Sequence, residues 1–300
     1  MAAGTGNHRR GKTAFFLAAC GCAGAAPHWL DPSRSLIPAF TLAVLLGGYG
    51  LRTLLRRVDP ALVGSNDDGT LASTPLDGQS CPTVDVVVAA RDEEAVVTRL
   101  VERLSALRYP DRRLTLCVVD DGSEDHTPER LSELQSRFPS LKVIRRPRNA
   151  GGGKSGALNA ALKQTQGEWL LILDADAQLA EDQLERLIPF ATAGDWSAVQ
   201  MRKAVTNPDT NWLTRVQAME MAFDAQLQQG RLCGGGVAEL RGNGELLRRD
   251  LLEACGGFNE DTVTDDLDLS FRLLLENARV GILWDPPRSE ERRVGKECER

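Results

Sequence analysis

From residue 84 onward, short apolar runs alternate with longer segments of helical periodicity, and this alternation constrains the fold more than any other feature. The apolar runs predict strands at 84–90, 114–119, 141–144, 169–173 and 197–201. The segments between them predict helices at 93–107, 127–138, 154–164 and 181–192. Strands and helices in this order form a Rossmann-like α/β fold, in which helices cover both faces of a mainly parallel sheet.

Carboxylates cluster after two predicted strands and again further along the chain. They are Asp120, Asp121, Asp174, Asp176, Asp265, Asp266 and Asp268. Ligands of doubly wound sheets bind beyond the carboxyl ends of the strands, so we expect a binding cleft there.

The Asp-Ala-Asp segment at 174–176 is a candidate metal site. In extended backbone, residues two apart face the same way, so the carboxylates of Asp174 and Asp176 would share one side of the chain. Two such oxygen ligands suit Mg²⁺ or Mn²⁺ bound jointly with a substrate phosphate. A turn with a helix cap is the structural alternative.

The charge balance limits the possible partners. The chain has 36 Lys and Arg residues against 42 Asp and Glu residues, a net charge of −6, which argues against a nucleic-acid partner. The three histidines are far apart and the seven cysteines contain no Cys-x-x-Cys pair, so no zinc site is expected. Scattered cysteines favour reduced thiols in a domain that faces the cytoplasm.

Two uncharged runs predict a transmembrane hairpin within residues 1–57. The candidate helices cover about 13–30 and 35–53, and the second has the length that a bilayer requires. Basic residues flank the pair on both sides and are nearly absent between the helices, which places both ends in the cytoplasm. These residues are Arg9, Arg10, Lys12, Arg52, Arg56 and Arg57. A cleaved signal peptide at 1–26 and a soluble pair of core helices are the alternatives.

Composition divides the rest of the chain into three parts. Residues 58–80 are rich in Asp, Gly, Ser, Thr and Pro, which predicts a linker. Residues 81–288 contain all the predicted strands and form the predicted α/β domain. Residues 289–300 mix both charges without an apolar period, as a solvated tail does.

Six ordered segments resemble family 2 glycosyltransferases, which have the GT-A fold. They span about 84–285 and read VDVVVAARDEE, VVDDGSEDHT, GGGKSGALNAAL, GEWLLILDADA, GNGELLRR and GGFNEDTVTDDLDLSFRL. The resemblance implies an inverting, metal-dependent transferase that uses a UDP-sugar donor. The segments are most similar to members that transfer glucose from UDP-glucose to 1,2-diacylglycerol at a membrane, in glycolipid biosynthesis. A processive polysaccharide synthase and an inactive UDP-sugar-binding module remain alternatives.

The resemblance implies nucleotide contacts at two strand ends. Asp120 and Asp121 would contact the uridine and its ribose, with help from the loop of the first strand. That loop contributes Ala89, Arg91 and Glu93.

The resemblance also implies the residues of the reacting centre. Asp174 and Asp176 would hold Mg²⁺ or Mn²⁺ on the diphosphate. Lys154 would support the donor pocket, with a solvated lysine at a helix start as the alternative. Asp266 takes the position of the general base that deprotonates the acceptor hydroxyl, and Asp268 is expected to be a structural cap.

The chain departs from the family pattern at several positions. Ala89 and Asp92 stand where the family usually has Pro and Asn, and Asp265 stands where the base motif usually has Glu. The Gln-x-x-Arg-Trp motif that normally follows, and that helps to close over the diphosphate, is not found. We therefore expect a truncated or mis-joined end after Pro287, in which 289–300 is not family sequence.

A further helix is predicted over 211–230. Its apolar residues Trp212, Val216, Met219 and Phe223 are spaced by four, three and four, which places them along one face. We favour packing of this face against the sheet. The alternative is a membrane interface that receives acyl chains.

Overall fold

The computed structural model describes residues 5–31, 34–57, 59, 62, 64, 81–110, 112–205 and 207–284. These residues fall into two compact units, Met1–Arg57 and Val58–Arg300. The predicted linker at 58–80 lies almost wholly outside the described residues, and the predicted tail at 289–300 lies wholly outside them.

Two helices that pack against each other form the N-terminal unit. Helix α1 spans Thr5–Trp29 and α2 spans Ile37–Leu54. Among the helices that the structure describes, only α2 is long and apolar enough to cross a membrane. Helix α1 begins earlier than predicted and takes in three basic residues of the N-terminus, which reduces its apolar content. The structure therefore has one candidate span, and the transmembrane hairpin stays a prediction.

A mixed seven-stranded sheet forms the centre of the second unit. Its strands are β1 Val84–Ala90, β2 Leu114–Asp120, β3 Leu141–Arg145, β4 Trp169–Asp174, β5 Ala198–Met201, β6 Glu245–Arg248 and β7 Val280–Leu283. They lie in the order β3-β2-β1-β4-β6-β5-β7. All neighbouring pairs are parallel except the two that involve β6, which runs antiparallel to β4 and β5. The mainly parallel sheet is confirmed, with two more strands than the sequence predicted.

Helices cover this sheet. They are α3 Val97–Ser105, α4 Thr127–Arg137, α5 Gly153–Gln164, α6 Gln183–Ala193, α7 Trp212–Cys233, α8 Arg249–Ala254 and α9 Asp265–Leu275. Every residue of β1 except Ala89 is buried, and so is every residue of β4 except Asp174. Since successive side chains of a strand point to opposite faces, both faces of the sheet are covered.

A buried ion pair joins the start of β1 to the first residue of α8, which directly follows β6. The Asp85 carboxylate lies 2.8 Å from the Arg249 guanidinium and also accepts a hydrogen bond from the Gly167 N–H. Arg249 donates further hydrogen bonds to the Gly167 carbonyl and to the Thr165 hydroxyl. Because Asp85 lies at the amino end of β1, this network braces the edge of the sheet opposite the predicted cleft.

The predicted packing of the apolar face of α7 against the sheet is wrong. Trp212 is 75% exposed and Met219 is 68% exposed, and Val216 and Phe223 are exposed as well. The helix buries its other side instead, which is built from Thr214, Ala225, Gln228 and Gln229. The polar residues on the buried side form hydrogen bonds. Gln228 Oε1, for example, accepts a hydrogen bond from the Glu239 N–H.

Candidate active site

Strand register brings the predicted carboxylates to one edge of the sheet. Asp120 is paired with Ala90 of β1, and Asp174 is paired with Ala89 from the other side. The backbones of Asp120 and Asp174 are thus two strand spacings apart, about 10 Å. Asp120 is buried, and its Oδ1 accepts a hydrogen bond from the Ser123 N–H. The ends of β1, β2 and β4 therefore bring these carboxylates to one edge of the sheet, as predicted, and ligand binding at this edge stays a prediction.

Asp121 connects the end of β2 to two arginines. Its carboxylate lies 2.5 Å from the Arg146 guanidinium and 3.9 Å from that of Arg91. Arg146 also donates to the Gly151 carbonyl, in the loop before α5. The structure thus brings Asp121 and Arg91 together. Arg146, which sequence reasoning did not single out, neutralises this buried carboxylate.

The loop after β1 is held by Asp92, one of the departures from the family pattern. Asp92 has a φ of +56°, in the left-handed region that Asp and Asn tolerate better than other side chains. Its Oδ1 accepts from the Glu124 N–H, which lowers the pKa of this carboxyl, and Arg148 lies 3.1 Å away. The Glu93 N–H donates to the Thr127 hydroxyl. Asp92 therefore keeps the short polar side chain that this turn requires.

Lys154 bridges two parts of the site. Its ammonium donates to Asp174 Oδ1 at 2.6 Å and to the Gly242 carbonyl at 2.6 Å. Asn243 Oδ1 accepts from the Asp174 N–H at 3.1 Å. The solvated-lysine interpretation is therefore wrong, because Lys154 links the end of β4 to the Gly-Asn-Gly loop at 242–244.

The Asp-Ala-Asp segment is not extended throughout. Strand β4 ends at Asp174, and a turn follows in which the Ala177 N–H donates to the Asp174 carbonyl. Strand alternation therefore does not set the direction of Asp176, contrary to the prediction. Ala175 and Ala177 are buried while Asp174 and Asp176 are half-buried, so the two carboxylates are the more open side of the turn. Among the residues that the structure describes, no three His, Cys, Asp or Glu side chains group as a metal site.

The three carboxylates in the first turn of α9 have different contacts. Asp265 accepts from the Ser155 hydroxyl at 3.1 Å, and Asp268 pairs with Arg272 at 2.7 Å. Asp268 is thus structural, as expected, although it acts through Arg272 and not as a cap. Asp266 faces the Gly-Asn-Gly loop, since a β carbon at Gly242 would lie 3.5 Å from Asp266 Oδ2.

A buried carboxyl group, that of Glu245, and a half-buried ammonium group, that of Lys203, lie behind this loop and were not predicted. Glu245 is 2% exposed, and its Oε1 accepts from the Gly242 N–H at 2.5 Å. Burial raises the pKa of Glu245 to about 7. The Lys203 ammonium donates to the Arg241 carbonyl, and burial lowers the pKa of Lys203. Glu245 lies in the GNGELLRR segment, but strand periodicity does not indicate its burial, because β6 is short and pairs antiparallel with β4 and β5.

The fold and the cleft together define the class of protein. A mixed α/β sheet that presents carboxylates at the ends of β2 and β4, with a further carboxylate on a helix across the cleft, is a GT-A type of glycosyltransferase fold. The Glycosyl transferase family 2 model matches residues 85–256, so the chain belongs to glycosyltransferase family 2. The family predicted from the six segments is confirmed.

Relatives and solved structures agree with this assignment. The chain is 42% identical over 283 residues, 94% of its length, to a beta-monoglucosyldiacylglycerol synthase of Synechocystis sp., of which it covers 57%. It is 47% identical over 212 residues, 71% of its length, to a protein of the same name from Nostoc sp., of which it covers 45%. The chain thus spans about half the length of the curated relatives it matches.

Among solved structures, the mannosyltransferase PcManGT from Pyrobaculum calidifontis, in complex with GDP-Man and Mn²⁺, has a TM-score of 0.60. It is 22% identical, and the match covers 91% of this chain and 68% of that one. TarS 1–349 from S. aureus in complex with UDP-GlcNAc has a TM-score of 0.52 at 21% identity, covering 68% of this chain and 56% of that one. At these identities the likeness shows the fold alone.

Proposed function

We propose that the chain is the catalytic part of a membrane-bound, inverting glucosyltransferase that transfers glucose from UDP-glucose to 1,2-diacylglycerol. The observation that carries the proposal is the position of Gly242. Lys154 joins its carbonyl to Asp174 on one side, and Asp266 faces it from the other. A donor bound at Asp174 and an acceptor bound at Asp266 would meet there. The choice of donor sugar and acceptor comes from the beta-monoglucosyldiacylglycerol synthases, to which the chain is 42% and 47% identical.

The donor nucleotide is assigned to the ends of β1 and β2. Carboxylates accept hydrogen bonds from ribose hydroxyls and from the uracil N–H, which suits Asp120 and Asp121 at the open ends of parallel strands. Arg91 is partly exposed beside Asp121 and can turn toward a phosphate. Ala89 and the Glu93 backbone shape the same loop, where the Glu93 N–H is already bonded to Thr127.

A divalent cation fits the carboxylates of Asp174 and Asp176. Both are half-buried on the open side of one turn, and Asp174 already accommodates a positive charge, the Lys154 ammonium at 2.6 Å. Two carboxylates are a suitable protein contribution to Mg²⁺ or Mn²⁺ that is shared with a diphosphate. A bound cation would stabilise the negative charge on the leaving UDP.

Asp266 is the general base in this proposal. Asp265 is engaged by Ser155 and Asp268 by Arg272, which leaves Asp266 as the carboxylate of the first turn that faces the cleft. It takes the proton of the acceptor hydroxyl as the hydroxyl oxygen attacks the anomeric carbon and the bond to UDP breaks. A single displacement of this kind inverts the configuration, so an α-linked donor gives a β-glucoside.

Membrane attachment is assigned to the N-terminal unit. Helix α2 has the required length and apolar composition, and basic residues flank the predicted hairpin on both sides. The catalytic unit would then face the cytoplasm of a multi-pass membrane protein.

Product analysis tests the proposal. Detergent-purified chain is incubated with UDP-[14C]glucose, diacylglycerol and Mg²⁺ or Mn²⁺, and the lipid product is treated with a β-glucosidase. We expect one β-linked glucose per lipid and loss of the product in excess EDTA. A polymer would favour a processive synthase, UDP binding without transfer would favour an inactive binding module, and full activity in EDTA would contradict the metal assignment.

A further inference from the structure

In the described part of the catalytic unit, exposed large apolar side chains occur in two segments. Among the described residues of 81–284, every exposed large apolar side chain lies within 212–223 or 263–275. Exposed apolar patches of this kind mark surfaces that contact apolar partners. The second segment also carries Asp266, the candidate general base.

The apolar residues of the second segment form a stripe, here called the α9 stripe. It consists of Val263, Leu267, Phe271 and Leu275, which recur every fourth residue and are 37% to 100% exposed. The other side of α9 is buried through Leu269 and Leu273. The helix is therefore apolar both toward the core and toward the outside, which core packing alone does not explain.

The α9 stripe begins on the helix face that adjoins the candidate acceptor position. Asp266 directly precedes Leu267, whose side chain points about 100° further around the helix axis, and the helix rise places Leu275 about 14 Å further along the axis. The loop that contains Gly242 is fixed to the same helix, because the Leu240 N–H donates to the Ser270 hydroxyl at 2.9 Å. An acceptor whose hydroxyl reaches Asp266 can therefore pass its hydrocarbon around the start of the helix to Leu267, the first helical residue of the stripe.

Diacylglycerol carries its free hydroxyl and both acyl esters on one glycerol. When that hydroxyl lies at the Asp266 carboxylate, the hydrocarbon begins only a few bonds away, beside Val263 and Leu267. Asp268 and Arg272, which are polar, pair with each other at the flank and do not interrupt the stripe. Burial of hydrocarbon against exposed apolar side chains is favourable without any further polar contact.

We infer that the α9 stripe binds the acyl chains of the acceptor and thereby selects a diacylated lipid over a short-chain or water-soluble alcohol. The inference rests on the proposed function, since it assigns the acceptor's hydrocarbon to the helix that bears the base. It adds a specificity surface, Leu267, Phe271 and Leu275, to a site otherwise built from charged and polar groups.

The kinetic test uses the full chain with Leu267→Ser/Phe271→Ser in detergent micelles. We expect KM for dipalmitoylglycerol to rise on the order of tenfold relative to KM for dihexanoylglycerol, because two apolar contacts are lost. UDP binding should stay unchanged, because both side chains are exposed and neither belongs to the ends of β1 and β2, where the nucleotide is assigned. The matched control is Glu102→Ser/Arg137→Ser, which also changes two exposed side chains but lies outside both apolar segments, and it should leave this ratio unchanged.

A second readout does not depend on turnover. A diacylglycerol that carries a diazirine on an acyl chain is photolysed with the wild-type chain in micelles, and labelled peptides are identified by mass spectrometry. We expect label within 263–275 and less of it in the Leu267→Ser/Phe271→Ser variant. Label without glucose transfer would contradict the proposed function while supporting acyl binding. Label elsewhere, crosslinks between two protein chains at α9, or an unchanged acceptor ratio in the variant would overturn the inference.

Discussion

Gly242 connects the donor and acceptor sides of the site through its backbone. Its carbonyl accepts from Lys154, its N–H donates to Glu245, and its α carbon faces Asp266. The residue has a φ of +76°, a conformation that glycine adopts without strain. A small displacement of this loop would therefore change the distance between a donor bound at Asp174 and the carboxylate of Asp266.

Asp266→Asn tests the base assignment. The substitution keeps the shape of the side chain and removes its ability to take a proton, so transfer should fall by about 10² to 10⁴-fold. Affinity for UDP-glucose should stay close to that of the wild type, because Asp266 is not among the residues at the ends of β1 and β2 to which the nucleotide is assigned. Steady-state kinetics and isothermal calorimetry measure the two effects.

Asp268→Asn is the matched control for this substitution. It weakens only the ion pair with Arg272, which is partly exposed, and should change the rate much less. If the Asp266→Asn variant keeps near-normal turnover, the general base would have to be Asp265 or Asp268 instead.

Glu245 predicts a pH-dependent stability. Its pKa is about 7 in the folded protein and ordinary in the unfolded chain, so the folded state binds the extra proton between about pH 4.5 and 7. The stability associated with this group is complete below that range and is lost as the pH rises through it. The total loss is roughly 3 kcal/mol, at 1.36 kcal/mol for each pKa unit.

Glu245→Gln should remove this dependence. The Gln side chain can still accept from the Gly242 N–H, and it carries no charge to bury. Chemical denaturation of the detergent-solubilised protein at pH 5 and pH 8 should show a smaller decline in the free energy of unfolding for the variant than for the wild type. Equal declines in both proteins would mean that Glu245 does not titrate in this range.

Helices and strands show how far the sequence determines this fold. The five predicted strands all form, because apolar runs between helical segments are buried on both faces. Strands β6 and β7 have only four residues each, and β6 pairs antiparallel, so neither periodicity nor strand-helix alternation indicates them. Proximity at the carboxyl ends was predictable from topology, whereas the contact of Lys154 with Gly242 depends on a loop distant in sequence.

Helix α7 shows the limit of periodicity as a signal. A four-three-four stripe indicates an apolar face but not what covers it, and here Thr214, Ala225 and Gln228 face the core instead. A capping box of Asn211 and Thr214 begins the helix and leaves Trp212 on the outside. The exposed face therefore supports the membrane-interface interpretation, which stays a prediction.

Trp212→Ser/Met219→Ser tests this interpretation of α7. Both side chains are exposed, so the variant should fold and bind UDP like the wild type. Co-sedimentation of residues 81–300 with phosphatidylcholine vesicles should fall on the order of tenfold or more, because Trp and Met contribute apolar area at the interface. A large loss of thermal stability, or vesicle binding equal to that of the wild type, would contradict a lipid-facing α7.

At the scale of the whole molecule, the chain divides into a helical unit and a catalytic unit, Met1–Arg57 and Val58–Arg300, each compact by itself. Helix α2 is the candidate span, and its apolar side chains are almost entirely exposed, with 6% of the span buried. Exposure of this extent is costly in water and favourable in hydrocarbon. We therefore predict that the first unit anchors the chain in a bilayer and that the second carries the proposed sugar transfer.

Removal of residues 1–80 should separate these two activities. The full chain should remain in membranes after washes with high salt or alkaline carbonate and be released only by detergent. The shortened chain should be soluble and bind UDP. It should also transfer glucose to dihexanoylglycerol in solution at a rate similar to that of the full chain.

The rate of the shortened chain with dipalmitoylglycerol in vesicles should fall strongly, because the anchor no longer holds the site at a high effective concentration of acceptor. Release of the full chain by salt alone would contradict a spanning α2, and an equal rate of both proteins on vesicles would show that the catalytic unit reaches the bilayer without the anchor.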